Sequence, residues 1–208
     1  MAVTKGVAVD RIRESFQCGV RLFGENRVQE FQTKREALGG MDAAEWHMIG
    51  HLQTNKATRA VELFDAIDSV DSVRLAEKID FAAEQLGKKI PILIEINVGG
   101  EPAKSGIALG SGELDNILSA AQGLRSIEIC GLMAVPPYSD DPEQSRPYFR
   151  QMKQLFDNVS LQRSPGVRMK TLSIGMSHDF EIAVEEGSTC VRIGTAIFGE
   201  RQSARSKD

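Results

Sequence analysis

Short apolar runs of β-forming residues alternate with helical patterns along the whole chain, and this alternation constrains the fold most. It is typical of parallel sheets with helical connections and argues against a β-sandwich or a helix bundle. The runs predict strands at residues 2–5, 20–23, 46–49, 66–70, 92–98, 127–132, 171–174 and 190–193. The intervening segments predict helices at 9–18, 26–38, 73–86, 114–123 and 143–157.

Eight strands with intervening helices predict an α/β fold, a closed (β/α)8 TIM barrel. Barrels of about 200 to 250 residues form one domain, so we expect residues 1–208 to be a single domain. The alternative is an open, dinucleotide-binding sheet, which usually carries a G-x-G-x-x-G turn after its first strand; that turn does not follow residues 2–5. Asp71 and Ser72 predict the start of helix 73–86, and Gly87 predicts its end.

The composition limits the classes of partner. With 26% charged residues and a net charge of −4, the chain gives no reason to expect nucleic acid as a partner. No stretch approaches the ~18 apolar residues of a membrane span, so we expect no membrane association and a cytoplasmic location. Cys18, Cys130 and Cys190 are odd in number and widely spaced, so we expect reduced, buried thiols and neither a disulfide framework nor a zinc site.

Lys5 is the most unusual residue of the predicted barrel, because ligand groups in this fold lie where strands end. Side chains alternate along a strand, so Val3 and Lys5 share one face, as Cys190 and Arg192 do on the neighbouring last strand. If that face is the inner one, Lys5 and Arg192 point to the same mouth. Desolvation and the neighbouring cation would then lower the lysine pKa and make the amine nucleophilic. The alternative is a solvated lysine at a strand end, and spacing does not separate the two.

The last two predicted strands are followed by small and hydroxyl residues. In TIM barrels these loops, with the start of a helix, form the usual phosphate site, because free backbone N–H groups and the helix dipole favour an anion. Ser177, Gly194 and Thr195 are therefore candidate phosphate ligands. The alternative is that the glycines only make tight turns. His178, beside Asp179 at a predicted helix start, is interpreted as orienting its loop.

His47 and His51 suggest a metal site only superficially. They flank the end of a strand and a glycine turn rather than sharing a helix, and no H-E-x-x-H pattern is present. We therefore predict no metal.

Several segments across nearly the whole chain form a specific set when taken together: AVTK at 2–5, FGEN at 23–26 with QE at 29–30, WHMIGHLQTNK at 46–56, EIN at 95–97, KSG at 104–106, GLM at 131–133, SIGMS at 173–177 and VRIGT at 191–195. With these segments the chain resembles the YggS/PROSC family of pyridoxal 5′-phosphate (PLP)-binding homeostasis proteins, called PLPBP in animals and PipY in cyanobacteria. The resemblance implies a barrel like the N-terminal domain of alanine racemase (PLP fold type III).

The resemblance also implies PLP as the cofactor and seven residues that bind it. Lys5 would hold PLP as a Schiff base, Asn26 and Met133 would lie beside it, Ser177, Gly194 and Thr195 would hold its phosphate, and Arg192 would face the pyridine nitrogen. Because a guanidinium keeps its proton, the ring nitrogen should stay unprotonated and the cofactor should be a weaker electron sink.

The function implied is a PLP carrier in vitamin B6 and amino-acid homeostasis, without catalytic residues. PLP-dependent apoenzymes are candidate partners, and we expect a monomer. The alternatives are an amino-acid racemase of the same barrel type and an aldolase that uses Lys5 without PLP. A partner-binding regulator would leave no clear mark on the sequence, since Asp140, Asp141 and the basic segment 201–207 are interpreted as solvated.

The start of the chain departs from the family pattern. The family usually has a helix and a fuller first strand before the lysine, whereas only four residues precede Lys5. We expect either a start upstream of Met1 or a barrel that closes with a stub strand.

Overall fold

The computed structural model describes residues 1–200, which form an α/β barrel as predicted. Its strands are β1 (Ala2–Val3), β2 (Leu22–Glu25), β3 (Glu45–Met48), β4 (Ala66–Val70), β5 (Ile90–Asn97), β6 (Ile107–Ala108), β7 (Ile127–Ala134), β8 (Val167–Met176) and β9 (Cys190–Arg192). They pair in parallel in the order β1-β2-β3-β4-β5-β7-β8-β9, with β6 paired to β5 alone. A parallel bridge between Ala2 and Ile193 joins the first and last strands and closes the ring.

Helices connect the strands and cover the outside of the barrel. They are α1 (Val9–Gln17), α2 (Val28–Arg35), α3 (Ala57–Leu63), α4 (Val73–Gln85), α5 (Glu113–Ala120), α6 (Arg146–Leu161), α7 (Phe180–Glu185) and α8 (Thr195–Phe198). The predicted ends of α4 are confirmed: Ser72 Oγ accepts a hydrogen bond from the Leu75 N–H at 3.3 Å, and Gly87 follows the helix with a φ of +61°. Within residues 1–200, no helix combines the length and apolar character that crossing a membrane requires.

An aromatic cluster fixes the first strands against their helices. Phe23 stacks on Trp46 with ring centroids 4.7 Å apart, and Phe31 of α2 lies 4.7 Å from both Trp46 and Phe64. Because side chains alternate along β2, Phe23 and its neighbour Glu25 face the helices while Gly24 faces the barrel interior. A Cβ on Gly24 would lie 2.7 Å from Met1 Sδ and 2.9 Å from Ile49 Cδ1, so a larger residue there would displace these two side chains.

The structure differs from the sequence predictions at several points, among them the start of β2, at Leu22 rather than residue 20, and the start of β8, at Val167 rather than residue 171. β6 was not predicted, because its two residues are too short to give a period. β1 ends at Val3, so Lys5 lies in the following turn rather than in the strand. The prediction of buried cysteines is wrong for Cys18, which is exposed at the end of α1, and Cys130 and Cys190 are only half-buried. Asp140 and Asp141 are exposed as expected, and segment 201–207 lies outside the described residues.

Candidate cofactor site

Lys5 lines a cavity at the end of the barrel where the strands finish. The cavity measures about 340 Å³ and is also lined by Asn26 after β2, by His51 after β3 and by Lys56. The Lys5 side chain is half-buried, and within residues 1–200 it has no hydrogen-bond or ion-pair partner. Lys5 therefore borders a cavity rather than open solvent, and its sharing of one mouth with Arg192 stays a prediction.

A second cavity of about 550 Å³ adjoins the first and shares Asn26, Gly50 and His51 with it. The Asn26 Oδ1 atom is buried and has no hydrogen-bond partner among the described residues. Gly50 is required beside it, because a Cβ there would lie 2.3 Å from the Asn26 carbonyl oxygen. An unpaired acceptor between two cavities suits a ligand that can donate a hydrogen bond.

Glu95 lines the larger cavity and was missed as a site residue by the sequence analysis. It is 7% exposed, one carboxylate oxygen accepts from Ser105 Oγ at 3.0 Å, and the other has no partner among the described residues. Burial raises the pKa of the Glu95 carboxyl. Lys104, which also lines this cavity, was named only within a motif. A signal for Glu95 existed, since it is the one charged residue of the apolar strand β5.

Arg192 is buried in the barrel interior at the end of β9. Its guanidinium donates to the Ser173 carbonyl at 2.6 Å, to Ser173 Oγ at 2.7 Å and to the Ala134 carbonyl at 2.8 Å. Ala134 follows Met133 at the end of β7, so Arg192 and Met133 approach the same strand end, and both are buried. Neither residue lines the two cavities above, and the predicted contact of Arg192 with a ring nitrogen stays a prediction.

The predicted phosphate ligands adjoin one another. Ser177 Oγ accepts hydrogen bonds from the Gly194 N–H at 3.1 Å and the Ala196 N–H at 3.3 Å, on either side of Thr195. Across the closing seam, the Val3 N–H donates to the Ile193 carbonyl at 2.8 Å. The structure therefore brings Ser177, Gly194 and Thr195 together beside the strand that leads to Lys5.

Asp179 holds the loop after β8, a role the sequence analysis gave to His178. One Asp179 carboxylate oxygen accepts from the Met176 N–H at 2.7 Å, and the other accepts from Ser145 Oγ at 2.9 Å. His178 instead packs against the Tyr138 ring, with centroids 5.6 Å apart. The interpretation of His178 was wrong. The loop is held by Asp179 instead, because a carboxylate can accept two hydrogen bonds at once and so join two segments.

His47 and His51 lie in different surroundings. His47 Nδ1 lies 3.0 Å from Asp68 and its Nε2 lies 3.0 Å from Glu45. Burial alone would lower the pKa of His47, but the hydrogen bonds and charges of Asp68 and Glu45 raise it to about 9. His51 lines both cavities at the mouth, and its Nδ1 lies 3.6 Å from Asp71. The two imidazoles therefore pair with different carboxylates, His47 with Asp68 and Glu45 and His51 with Asp71.

Comparisons with known proteins agree with this architecture. The family model described as alanine racemase, N-terminal domain, matches residues 1–202. A pyridoxal phosphate homeostasis protein of Aquifex aeolicus (strain VF5) is 45% identical over 202 residues, which cover 97% of this chain and 86% of that protein.

Two solved structures illustrate the structural likeness. PipY of Synechococcus elongatus PCC7942, with PLP bound, is 37% identical, with a TM-score of 0.87 and coverage of 96% of this chain and 91% of that chain. An alanine racemase of Clostridium difficile 630 has a TM-score of 0.77 at 17% identity, covering 98% of this chain and 52% of that chain. The racemase likeness concerns the fold alone.

Proposed function

The chain belongs to the alanine racemase N-terminal domain family and, within it, to the pyridoxal phosphate homeostasis proteins, and on that premise we propose that it carries PLP on Lys5. The observation that supports this most is the Lys5 amine, which lines a cavity at the strand ends without a protein partner among residues 1–200. Lys5 would hold PLP as a Schiff base, in which the amine nitrogen would replace the aldehyde oxygen with release of water.

Of the seven proposed ligands, Lys5 and Asn26 line the two cavities and suit the cofactor, and the other five lie outside them. The unpaired Asn26 Oδ1 lies beside the same cavity as Lys5 and can accept a hydrogen bond from a bound ring substituent. We assign the phosphate to Ser177, Gly194 and Thr195, because these residues adjoin one another at the start of α8 and the hydroxyls of Ser177 and Thr195 can donate to it. We propose that Met133 would lie beside the cofactor and that the Arg192 guanidinium would face its pyridine nitrogen. When bound, PLP supplies an electron sink for amine chemistry.

We propose a carrier rather than an enzyme. A guanidinium beside the ring nitrogen leaves the cofactor a weak electron sink. Racemisation also needs a second base on the face opposite the lysine. Tyr138 is 76% exposed and packs on His178, and Tyr148 lies within α6, so neither tyrosine lines the two cavities. We further propose that the protein acts in the cytoplasm as a monomer and supplies PLP to PLP-dependent apoenzymes.

The racemase is the second candidate, because the buried Glu95 carboxyl lines the mouth and could serve as the second base. One experiment separates the two. Purified protein is titrated with PLP while the visible absorbance of a Schiff base is followed, and the loaded protein is then incubated with L-alanine and other L-amino acids. We expect saturable absorbance and no D-isomer above the level of free PLP by chiral chromatography. Turnover that is lost in Glu95→Gln would establish the racemase, and absence of a Schiff base would refute the carrier.

A further inference from the structure

A polar cluster, buried at Thr4 and exposed at Gly6, holds the chain on both sides of Lys5. Before it, the Thr4 side chain is fully buried, and its hydroxyl donates to Glu25 Oε1 at 2.7 Å. After it, the Gly6 N–H donates to Glu30 Oε1 at 2.6 Å. The two residues flanking Lys5 are therefore tied to two different carboxylates, one on β2 and one on α2.

Lys34 of α2 binds both carboxylates and the backbone of Thr4. Its ammonium donates to the Thr4 carbonyl at 2.8 Å, to Glu25 Oε1 at 2.9 Å and to Glu30 Oε1 at 2.7 Å. An ammonium has three N–H donors, and these contacts use all of them. The side chain is 11% exposed, so water screens these charges little.

Two kinds of contact hold α2 in place, apolar packing and this polar cluster. Val28 and Phe31 are the buried residues of the helix. Neither Lys34 nor the carboxylates of Glu25 and Glu30 line the two cavities at the mouth. The cluster therefore lies outside the cofactor site and acts on the backbone that carries Lys5.

We propose that Lys34 is a positioning residue for Lys5, acting with Glu25 and Glu30 as a clamp on the turn that presents the amine to the cofactor aldehyde. This inference rests on the proposed function. It predicts that the clamp affects formation of the bond between Lys5 and PLP. Binding of the phosphate, which is proposed to lie after β8 and β9, should not depend on the clamp.

The test compares two ligands on Lys34→Met in the full chain. PLP can bond to Lys5, whereas pyridoxine 5′-phosphate has an alcohol in place of the aldehyde and cannot. We expect the rate of Schiff-base formation, followed by visible absorbance, to fall at least tenfold, because Lys34→Met removes the three hydrogen bonds of a charged donor that hold this turn. The dissociation constant of pyridoxine 5′-phosphate, measured by calorimetry, should not change.

Lys153→Met is the matched control, because Lys153 is also a helical lysine with carboxylate contacts, to Asp157 on the surface of α6. It should leave both measurements unchanged. Glu30→Gln keeps the side-chain shape at a partly exposed position and guards against a Lys34 variant that does not fold. It should slow bonding in the same direction by a smaller factor. An equal loss with both ligands, or no loss in either variant, would overturn the positioning role.

A second readout does not depend on PLP. In the cofactor-free protein, hydrogen exchange of the Gly6 amide, followed by NMR, should be faster in Lys34→Met and Glu30→Gln than in the parent and in Lys153→Met. Unchanged Gly6 exchange would overturn the clamp even if PLP binds. If the parent forms no bond with PLP, the proposed function fails, and the Gly6 measurement still decides whether the clamp exists.

Discussion

The hydroxyl oxygen of Ser177 accepts a hydrogen bond from the backbone N–H of Gly194 at 3.1 Å. This contact joins the loop after β8 to the start of α8, and Asp179 holds the same loop from the other side through the Met176 N–H. Two loops that are separate in sequence thus become one surface, at which the cofactor phosphate is proposed to bind.

Ser177→Ala is expected to weaken PLP retention by roughly one to two decades, because a hydrogen bond to a charged acceptor contributes about 1.5–3 kcal/mol. Loss of the contacts to Gly194 and Ala196 should cost only about 1 kcal/mol of folding free energy. Equilibrium dialysis and urea unfolding measure the two effects. Ser160→Ala, on the surface of α6, is the control. Unchanged retention in Ser177→Ala would place the phosphate elsewhere.

Gly50→Ala is expected to displace Asn26, since the added Cβ would lie 2.3 Å from the Asn26 carbonyl oxygen. Overpacking of this kind costs about 1–3 kcal/mol of stability, and the shifted Asn26 should also weaken PLP binding. Thermal unfolding and a PLP titration report the two effects. Gly123→Ala, where the nearest atom is 3.5 Å away, should be nearly neutral. A Gly50→Ala variant that matches the Gly123→Ala control would refute the close approach.

Arg192→Met is expected to destabilise the barrel, because it leaves the carbonyls of Ser173 and Ala134 buried without their donors. Each unsatisfied group costs about 1–3 kcal/mol. Urea unfolding of the cofactor-free protein measures this loss. Arg125→Met, a substitution at the surface after α5, provides the comparison. Stability equal to the parent would show that the Arg192 contacts contribute nothing to folding.

The raised pKa of His47 predicts that the protein loses stability as the pH becomes alkaline. Its pKa is raised from 6.5 to about 9 by Asp68 and Glu45 against the effect of burial. The contribution is therefore fully present below pH 6.5, declines as the pH rises and is lost above about pH 9. A shift of this size, from 6.5 to about 9, corresponds to roughly 3 kcal/mol. Unfolding free energies of the parent and of His47→Gln across this range test it, and parallel pH profiles would contradict it.

The periodicity of the sequence was sufficient for the barrel, because alternating strands and helices admit few closed arrangements. It also predicted that Ser177, Gly194 and Thr195 lie close together, since residues that follow neighbouring strands meet at one rim. The periodicity did not predict contacts between side chains that are far apart in the sequence. The bonds of Lys34 to Thr4 and Glu25 depend on how α2 lies across β1 and β2, and no spacing encodes that placement. Glu95 could have been identified as a charge in an apolar strand.

The central claim is that Lys5 is the residue that bonds to PLP. The most direct measurement loads the parent protein with one equivalent of PLP, reduces it with borohydride and maps the pyridoxyl group by peptide mass spectrometry. The reduction converts the C=N bond into a stable secondary amine, so the label marks the lysine that held the cofactor. We predict the label on the peptide that contains Lys5. A label confined to Lys56 or Lys104, or no label at all, would contradict the account.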